Sequence, residues 1–293
     1  MKASIIITTF GRPMFLQRAI NSVLNQSFKN YEILVIDDNG KGTVAQKLTR
    51  SKIPINPYTN YFALDVNSGA CVARNKGVDL ASGEFLFFLD DDDEFLDNKL
   101  QDQIDFLEKH KNYDGCLAAF KRLDHIGKEI FSTSNMPMVG DFKSFVLNGN
   151  FFTPMLCIRK SSFMKTDGFI NIPRFQDNFF LMNALKKGLS FGTMEIALHV
   201  MHEHNEARIT SASIEKTEKS LQQIKKFVER HKNDFSKIEW DFFIVKQLRT
   251  LAVTKYISQE KKIRRSSAID FMIIFLRTLK FKYLTIAFKS LLK

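Results

Sequence analysis

The most informative stretch of the chain is FLFFLDDDD, at residues 85–93. Five consecutive apolar residues predict a strand buried on both faces, and four carboxylates follow where that strand leaves the sheet. Two carboxylates 4 Å apart repel by about 1 kcal/mol in water and about 4 kcal/mol at a protein surface. Four of them at one strand end therefore indicate a bound cation, and oxygen ligands favour Mg²⁺ or Mn²⁺. A solvated turn that caps the next helix would account for one or two of these acids, not four.

Two earlier strands also end in polar residues. SIIIT at 4–8 is followed by a Gly-Arg-Pro break and an amphipathic helix, and ILVI at 33–36 leads into DDNG at 37–40. A further helix is predicted over 68–81. This alternation predicts an α/β fold, with a mostly parallel, Rossmann-like sheet flanked by helices. Because ligands bind at the carboxyl ends of such strands, the three motifs should converge on one rim, although DDNG alone is also typical of a turn.

Composition and charge restrict the function classes. The chain has 293 residues, 44% of them apolar and 26% charged, with three cysteines and a net charge of +11. These values predict a globular protein. The cysteines are widely spaced and odd in number, which argues against a disulfide framework. The amino terminus does not have the pattern of a signal peptide, and no apolar run is long enough to span a bilayer. We therefore expect a cytoplasmic protein with anionic partners.

The positive charge is concentrated at the carboxyl end. Residues 261–293 contain nine Lys or Arg and a single acid, Asp270, which gives that segment a net charge of +8. Apolar residues are interspersed among these cations. This mixture predicts a C-terminal helical extension at 211–293 that associates with an anionic membrane surface. A solvated helix face and a dimer contact are alternatives. No nucleic-acid-binding motif is recognisable, so we expect no nucleic-acid partner.

The order of motifs resembles the family 2 inverting glycosyltransferases of the GT-A fold, of the bacterial surface polysaccharide type. The resemblance covers most of residues 1–210. The matching stretches are SIIITTFGRP (4–13), YEILVIDDNG (31–40), NSGACVARNKGVDLASGEFLFFLDDDDEF (67–95), TDGF (166–169) and RFQDNFFLMNALKKG (174–188). It implies a GT-A domain over 1–210, with a nucleotide-binding half at 1–95 and an acceptor half at 96–210.

The resemblance also implies residue roles. The metal, Mn²⁺ or Mg²⁺, would be held by Asp92 and by His204, and would offset charge on a departing diphosphate. Asp177 would be the general base, although Gln176 stands where the family has the Glu of a Glu-Asp pair. The donor, predicted to be a UDP-sugar, would be bound by the residues Thr8, Phe10, Arg12, Asp37, Asp38, Arg74, Asn75, Asp90, Asp91 and Arg208.

The implied activity is transfer of a sugar, with inversion, to a glycan or lipid-linked acceptor in surface polysaccharide biosynthesis. A lipid-linked acceptor would suit a protein that is peripheral on the inner face of the bacterial plasma membrane. The alternative is a non-catalytic protein of the same fold that binds a nucleotide sugar or a glycan, and the Gln176 departure motivates it.

Overall fold

The computed structural model describes residues 1–132, 135–203, 213–258 and 260–292. The chain divides into two compact units. The first consists of Met1–Asn171 with Gln176–Glu206, and the second of Ile172–Phe175 with Ala207–Lys293.

Strands and helices alternate through the amino-terminal part of the first unit. Its strands are β1 (Ala3–Thr9), β2 (Tyr31–Asp37), β3 (Thr59–Ala63), β4 (Phe85–Asp90), β5 (Glu94–Phe95), β6 (Gly115–Leu123), β7 (Leu156–Arg159) and β8 (Phe191–His202). Its helices are α1 (Pro13–Leu24), α2 (Val44–Ser51), α3 (Ala70–Leu80), α4 (Lys99–Lys109), α5 (Phe142–Asn148), α6 (Lys160–Phe163) and α7 (Gln176–Lys186). The strands and helices predicted in the first 90 residues lie within a few residues of these bounds, whereas α2 and β8 were not predicted.

Within the described residues these strands form one eight-stranded sheet, in the order β3-β2-β1-β4-β7-β6-β8-β5. β1 pairs in parallel with β2 and β4, β2 with β3, and β6 with β8, while the pairs that involve β7 or β5 are antiparallel. The predicted mostly parallel α/β sheet is therefore confirmed. The register sets Thr8 opposite Asp90 and Thr9 opposite Asp37, so the ends of three strands meet at one edge.

The sheet is covered on both faces, as the apolar run in β4 predicts. One face of β1 and β4 packs with the apolar sides of α1 and α4, through residues such as Leu16, Ile20 and Leu100. The side chain of Ile6 on β1 points to the opposite face of the sheet, where α3 lies. A Cβ added at Gly77 of α3 would lie 2.4 Å from Cγ2 of Ile6, so this glycine lets the helix lie directly on the strand.

The second unit is helical in its described part. It contains α8 (Ile214–Glu229), α9 (Lys237–Tyr256), α10 (Lys261–Thr278) and α11 (Phe281–Leu292). A small core joins α9, α10 and α11 through Ala252, Phe271, Ile274 and Tyr283. No helix in the described part of the chain is both long enough and apolar enough to cross a membrane.

Candidate active site

Two of the acids after β4, Asp91 and Asp92, are buried and paired with Arg12. Asp91 is fully buried, accepts a hydrogen bond from Oγ1 of Thr9 at 2.7 Å, and lies 2.5 Å from Nη2 of Arg12. The other guanidinium nitrogen, Nη1, donates to Oδ2 of Asp92 at 2.6 Å. Burial raises the pKa of Asp91 to about 7, and the charges of Asp92 and Asp90 add to this while Arg12 opposes it. These contacts do not fit a solvated helix cap.

Asp90 belongs to a second pair at the same edge. Nη2 of Arg74, in α3, donates to Oδ1 of Asp90 at 2.7 Å, and the guanidinium lies over the ring of Phe169 at 5.4 Å. Burial raises the pKa of Asp90 above its usual value, and the charges of Asp92 and Asp177 contribute. Burial by itself would lower the pKa of Arg74, but Asp90 and Asp177 outweigh it and raise it.

One guanidinium nitrogen at this edge has spare donor capacity. Nη1 of Arg74 is buried and has no hydrogen-bond partner among the described residues. A buried N–H group without a partner costs about 1–3 kcal/mol, so its presence is explained when a ligand accepts from it.

Asp177 is brought to this edge from a distant part of the chain. It lies in the first turn of α7, where Oδ2 accepts from the backbone N–H of Thr153 at 3.2 Å. Its charge acts on both Arg74 and Asp90. The residue that precedes the helix, Phe175, has a φ of +63°, which costs about 1–2 kcal/mol for a residue other than glycine. Backbone strain of this kind clusters at functional sites.

Three other residues that were predicted to bind the sugar donor make hydrogen bonds within the protein. Oδ1 of Asp37 accepts from Asn39, and Oδ2 accepts from the hydroxyl of Tyr61 at 2.6 Å. The two oxygens of Asp38 accept from the backbone N–H groups of residues 68 and 69, just ahead of α3. The side-chain amide of Asn75 exchanges two hydrogen bonds with the backbone of Phe169, each 2.9 Å long. The structure therefore gives these side chains positioning contacts.

The remaining predicted residues are placed as follows. Thr8 is half-buried at the end of β1, and the ring of Phe10 is 57% exposed beside the same edge. His204 and Arg208 lie outside the described residues.

A further cluster borders the acids, and the sequence does not predict the contacts between its members. Nε2 of His202, the last residue of β8, lies 2.6 Å from Oε1 of Glu94. Arg18, in α1, donates to the carbonyl of Asp92 at 2.6 Å and lies 3.4 Å from Glu94. Burial lowers the pKa of His202, Arg18 adds to this, and Glu94 opposes it. Because residues 94 and 202 are far apart in sequence, no local pattern links them.

The acids can be tested against a divalent ion. Among the described residues no group of three His, Cys, Asp or Glu side chains is arranged to hold a metal. Asp90 and Asp92 nonetheless lie close enough for the charge of one to raise the pKa of the other. Mg²⁺ is typically held by one or two carboxylates, with water and substrate phosphates as further ligands. Asp90 and Asp92 fit an ion of this kind, one that arrives with a phosphate ligand.

The fold matches that of solved Staphylococcus aureus TarS structures. The Staphylococcus aureus TarS 1–349 structure in complex with UDP-GlcNAc superposes with a TM-score of 0.61 at 18% identity, covering 99% of this chain and 91% of that one. Together with the strand-end acids, this likeness defines the chain as a protein of the GT-A fold.

Sequence comparison then gives the family. The model of glycosyl transferase family 2 matches residues 4–174, so the chain belongs to that family. An uncharacterized glycosyltransferase of Haemophilus influenzae is 30% identical over 190 residues, 63% of this chain and 72% of that protein.

Two relatives with more specific names match over shorter stretches. A GalNAc(5)-diNAcBac-PP-undecaprenol beta-1,3-glucosyltransferase of Campylobacter jejuni is 42% identical over 102 residues, 34% of this chain and 32% of the relative. The putative colanic acid biosynthesis glycosyl transferase WcaA of Escherichia coli is 40% identical over 98 residues, 33% of this chain and 34% of the relative. The matched region thus spans about a third of each of these relatives.

Proposed function

We propose that this chain is an inverting glycosyltransferase that moves a sugar from a UDP-linked donor to a glycan or lipid-linked acceptor. The observation that carries the proposal is the strand-end cluster in which Asp90 and Asp177 flank Arg74, whose Nη1 is buried with no partner among the described residues. A leaving diphosphate is an acceptor of the charge and shape that this N–H group requires. Of the described residues, Arg74 is therefore the one we assign to the diphosphate.

The donor side is assigned to the edge formed by β1, β2 and β4. Phe10 offers an exposed ring for the nucleoside, with Thr8 beside it, and Asp37 and Asp38 set the shape of the adjacent turn. Mn²⁺ or Mg²⁺, held by Asp90 and Asp92 and by His204, would stabilise negative charge on the diphosphate as a Lewis acid. Arg12 holds Asp91 and Asp92 in place through two ion pairs. Arg208 is a second candidate for the diphosphate.

The acceptor side is assigned to Asp177. A carboxylate is a competent general base when it stays ionised and lies within hydrogen-bond reach of the attacking hydroxyl. The positive charge of Arg74 lies nearby, and the N–H of Thr153 fixes one carboxylate oxygen. Asp177 would take the proton of the acceptor hydroxyl while that oxygen attacks the anomeric carbon from the side opposite the leaving group. An α-linked donor would thus give a β-linked product.

The names of relatives support the acceptor class. The Campylobacter protein is named for an undecaprenol-linked acceptor, and the E. coli protein for colanic acid biosynthesis. We therefore propose that this chain works in surface polysaccharide biosynthesis, peripherally on the cytoplasmic side of an anionic bacterial plasma membrane. The structure of TarS with UDP-GlcNAc supports a UDP-linked donor by fold alone.

A thermal-shift screen of nucleotide sugars, with and without Mn²⁺, tests the donor assignment. A ligand that binds only the folded state raises the melting temperature by mass action, so a UDP-sugar should raise it and Mn²⁺ should enlarge the shift. The anomeric configuration of the product, read by NMR, then tests inversion. Equal small shifts with every nucleotide sugar, or retention at the anomeric carbon, would contradict the proposal.

A non-catalytic binding protein of the same fold is the second candidate, and Gln176 is the observation that favours it. Slow hydrolysis of the donor that is lost in Asp177→Asn would exclude this candidate. Tight donor binding with neither transfer nor hydrolysis would favour it.

A further inference from the structure

Helix α10 carries two separate apolar stripes. One contains Ala268, Phe271 and Ile274, which are buried in the core of the second unit. The other contains Ile269, Met272, Ile273 and Leu276, all of them exposed. The spacing of the exposed set, i, i+3, i+4 and i+7, places all four side chains on one helix face. A helix that needed only to pack on its neighbours would not carry this second stripe.

The neighbouring helix extends the exposed face. Leu279 adopts a left-handed conformation, with a φ of +53°, and turns the chain into α11. Ser267 and Ser290 are fully buried and hydrogen-bond to each other at 3.1 Å, which ties the two helices together. On α11, Phe281 and Phe288 are 73% and 57% exposed.

A groove of about 290 Å³ connects the two exposed stripes, and the side chains that line it are almost wholly apolar. Ile269, Met272 and Ile273 line it from α10, and Phe288 and Leu291 line it from α11. The two helices thus present one continuous apolar face, whose members are Ile269, Met272, Ile273, Leu276, Phe288 and Leu291.

Cations lie on the same face. Lys262 and Arg265 are exposed and precede Ile269 by seven and four residues, so they continue its stripe toward the start of α10. Lys282 and Lys289 are also exposed on α11, but their helical spacing places them away from Phe288 and Leu291, so the cations of this face are Lys262 and Arg265. The single acid of this segment, Asp270, is paired with Lys255 of α9 at 2.9 Å. The face is therefore cationic and apolar together.

From this combination we propose that the apolar face of α10 and α11 is a monotopic membrane contact. It would enter the headgroup and acyl boundary of an anionic bilayer. Lys262 and Arg265 would meet lipid phosphates, and Ile269, Met272 and Leu276 would lie in the acyl region. This proposal rests on the proposed function in one respect: a lipid-linked acceptor gives the protein a reason to lie at a membrane. The contact itself follows from the exposed stripes and their charge. An amphipathic surface with cations at its edge binds such interfaces by apolar burial and electrostatic attraction together.

Charge decides between the membrane and other occupants. A second copy of this chain would bring the same positive charge to the same face, and the two faces would repel. Nucleic acid would satisfy the cations but would leave six apolar side chains against a polar backbone. An anionic lipid surface satisfies the cations and the apolar side chains at once.

Vesicle co-sedimentation of the full chain tests the contact. With vesicles of phosphatidylcholine containing about 30% phosphatidylglycerol, we expect binding that falls with salt between about 0.1 M and 0.5 M. Pure phosphatidylcholine vesicles should bind far less protein. The variant Ile269→Glu/Leu276→Glu should lower the partition coefficient by roughly tenfold or more. It removes two apolar anchors and adds two negative charges that the anionic lipids repel. Ile238→Glu, at an exposed position on α9, is the matched control.

A second pair of variants isolates the charge. Lys262→Gln/Arg265→Gln should weaken binding to anionic vesicles and flatten its salt dependence, whereas Lys225→Gln/Lys226→Gln, on exposed positions of α8, should change neither. Equal binding of all variants would overturn the proposal. So would a dimer that Ile269→Glu/Leu276→Glu abolishes, or binding to duplex DNA with none to vesicles.

The outcome is separable from that of the proposed function. The melting-temperature shift with a UDP-sugar is read without lipid, so Ile269→Glu/Leu276→Glu should keep it. Loss of vesicle binding with a retained donor shift supports the membrane contact. A chain that binds vesicles but no nucleotide sugar would refute the donor assignment alone.

Discussion

The acidic strand ends and the basic C-terminal helices carry the two extremes of charge in this chain, and they hold it differently. After β4, Asp91 and Asp92 are buried, and each has a guanidinium partner at a defined distance. On α10 and α11, Lys262, Arg265 and Lys289 are exposed among apolar side chains. Buried charge is costly, so it is retained where geometry gives it partners, whereas exposed charge costs little and selects its partners only by sign.

This difference predicts different sensitivities. A substitution among the buried acids should act on defined short-range interactions, and its effect should be large and insensitive to salt. A substitution among the exposed cations should have a small effect that salt screens. Four substitutions test this contrast, and we expect the largest effect at Asp92.

Replacing Asp92 by alanine should have the largest effect on turnover. Asp92→Ala removes a proposed metal ligand and also the acceptor for Nη1 of Arg12. We expect the transfer rate to fall on the order of a thousandfold, because a metal contributes several kcal/mol to such reactions, and donor binding to weaken as well. Asp97→Ala, an exposed acid five residues away, is the matched control. Normal transfer by Asp92→Ala in the presence of Mn²⁺ would show that this carboxylate is not needed.

Asp177→Asn should separate chemistry from binding. The amide keeps the size of the side chain and can still accept from the N–H of Thr153, but it cannot take a proton. We expect kcat to fall by about 10²–10⁴-fold, while the thermal shift with the donor changes little. Asp79→Asn, exposed on α3, controls for general loss of an acid. If both kcat and donor binding fell together, Asp177 would be a structural residue of α7.

The two regions also differ in how far the sequence predicts them. The apolar run in β4 and the strand-end acids are contiguous, so the sheet edge followed from local pattern. By contrast, β8 was not predicted, since its exposure does not alternate regularly and its pairing with β6 shifts register near Ala118 and Ala119. The Glu94–His202 contact has no sequence signal because it depends on that strand. On α10, the sequence predicts a basic and apolar helix at a membrane surface, but only the structure separates the exposed apolar stripe from the apolar residues that are buried in the second unit.

Arg12→Gln should destabilise the folded protein, because it removes the charged partner of a buried acid. Asp91 is fully buried, and removing the partner of a buried ion pair costs about 3–5 kcal/mol. We expect the free energy of unfolding, measured in urea, to fall by about that amount at about pH 8. Since the pKa of Asp91 is raised to about 7, the carboxyl is largely protonated at lower pH, and the deficit should shrink as pH falls through that value.

Arg50→Gln removes an exposed guanidinium that lies over the ring of Tyr61 at 4.6 Å, and it should cost far less at every pH. An Arg12→Gln deficit that is constant across pH would mean that Arg12 acts through packing and not through its charge on Asp91.

Lys99→Met tests whether a buried charged residue necessarily belongs to the functional site. Lys99, at the start of α4, is fully buried, donates to Oε1 of Gln103 at 2.6 Å and lies over the ring of Phe95. Burial lowers its pKa from 10.5 to about 7, although Cys157 and Cys116 oppose the shift. The folded state therefore binds fewer protons than the unfolded state between those values, and the contribution of Lys99 to stability rises with pH across that window. Lys99→Met removes this dependence.

The variant should consequently be the more stable protein near pH 6, where the wild-type lysine is charged in an apolar site. That advantage should decrease toward about pH 9.5, where the lysine is neutral and the variant leaves Oε1 of Gln103 without a donor, at a cost of about 1–3 kcal/mol. Lys109→Met, exposed in the same helix, should show no such trend. Transfer activity should be unchanged at neutral pH, because Lys99 contacts none of the strand-end acids in the described structure. A loss of activity without a change in the pH dependence of stability would extend the functional site into the core, and the contrast between paired and exposed charge would no longer mark its boundary.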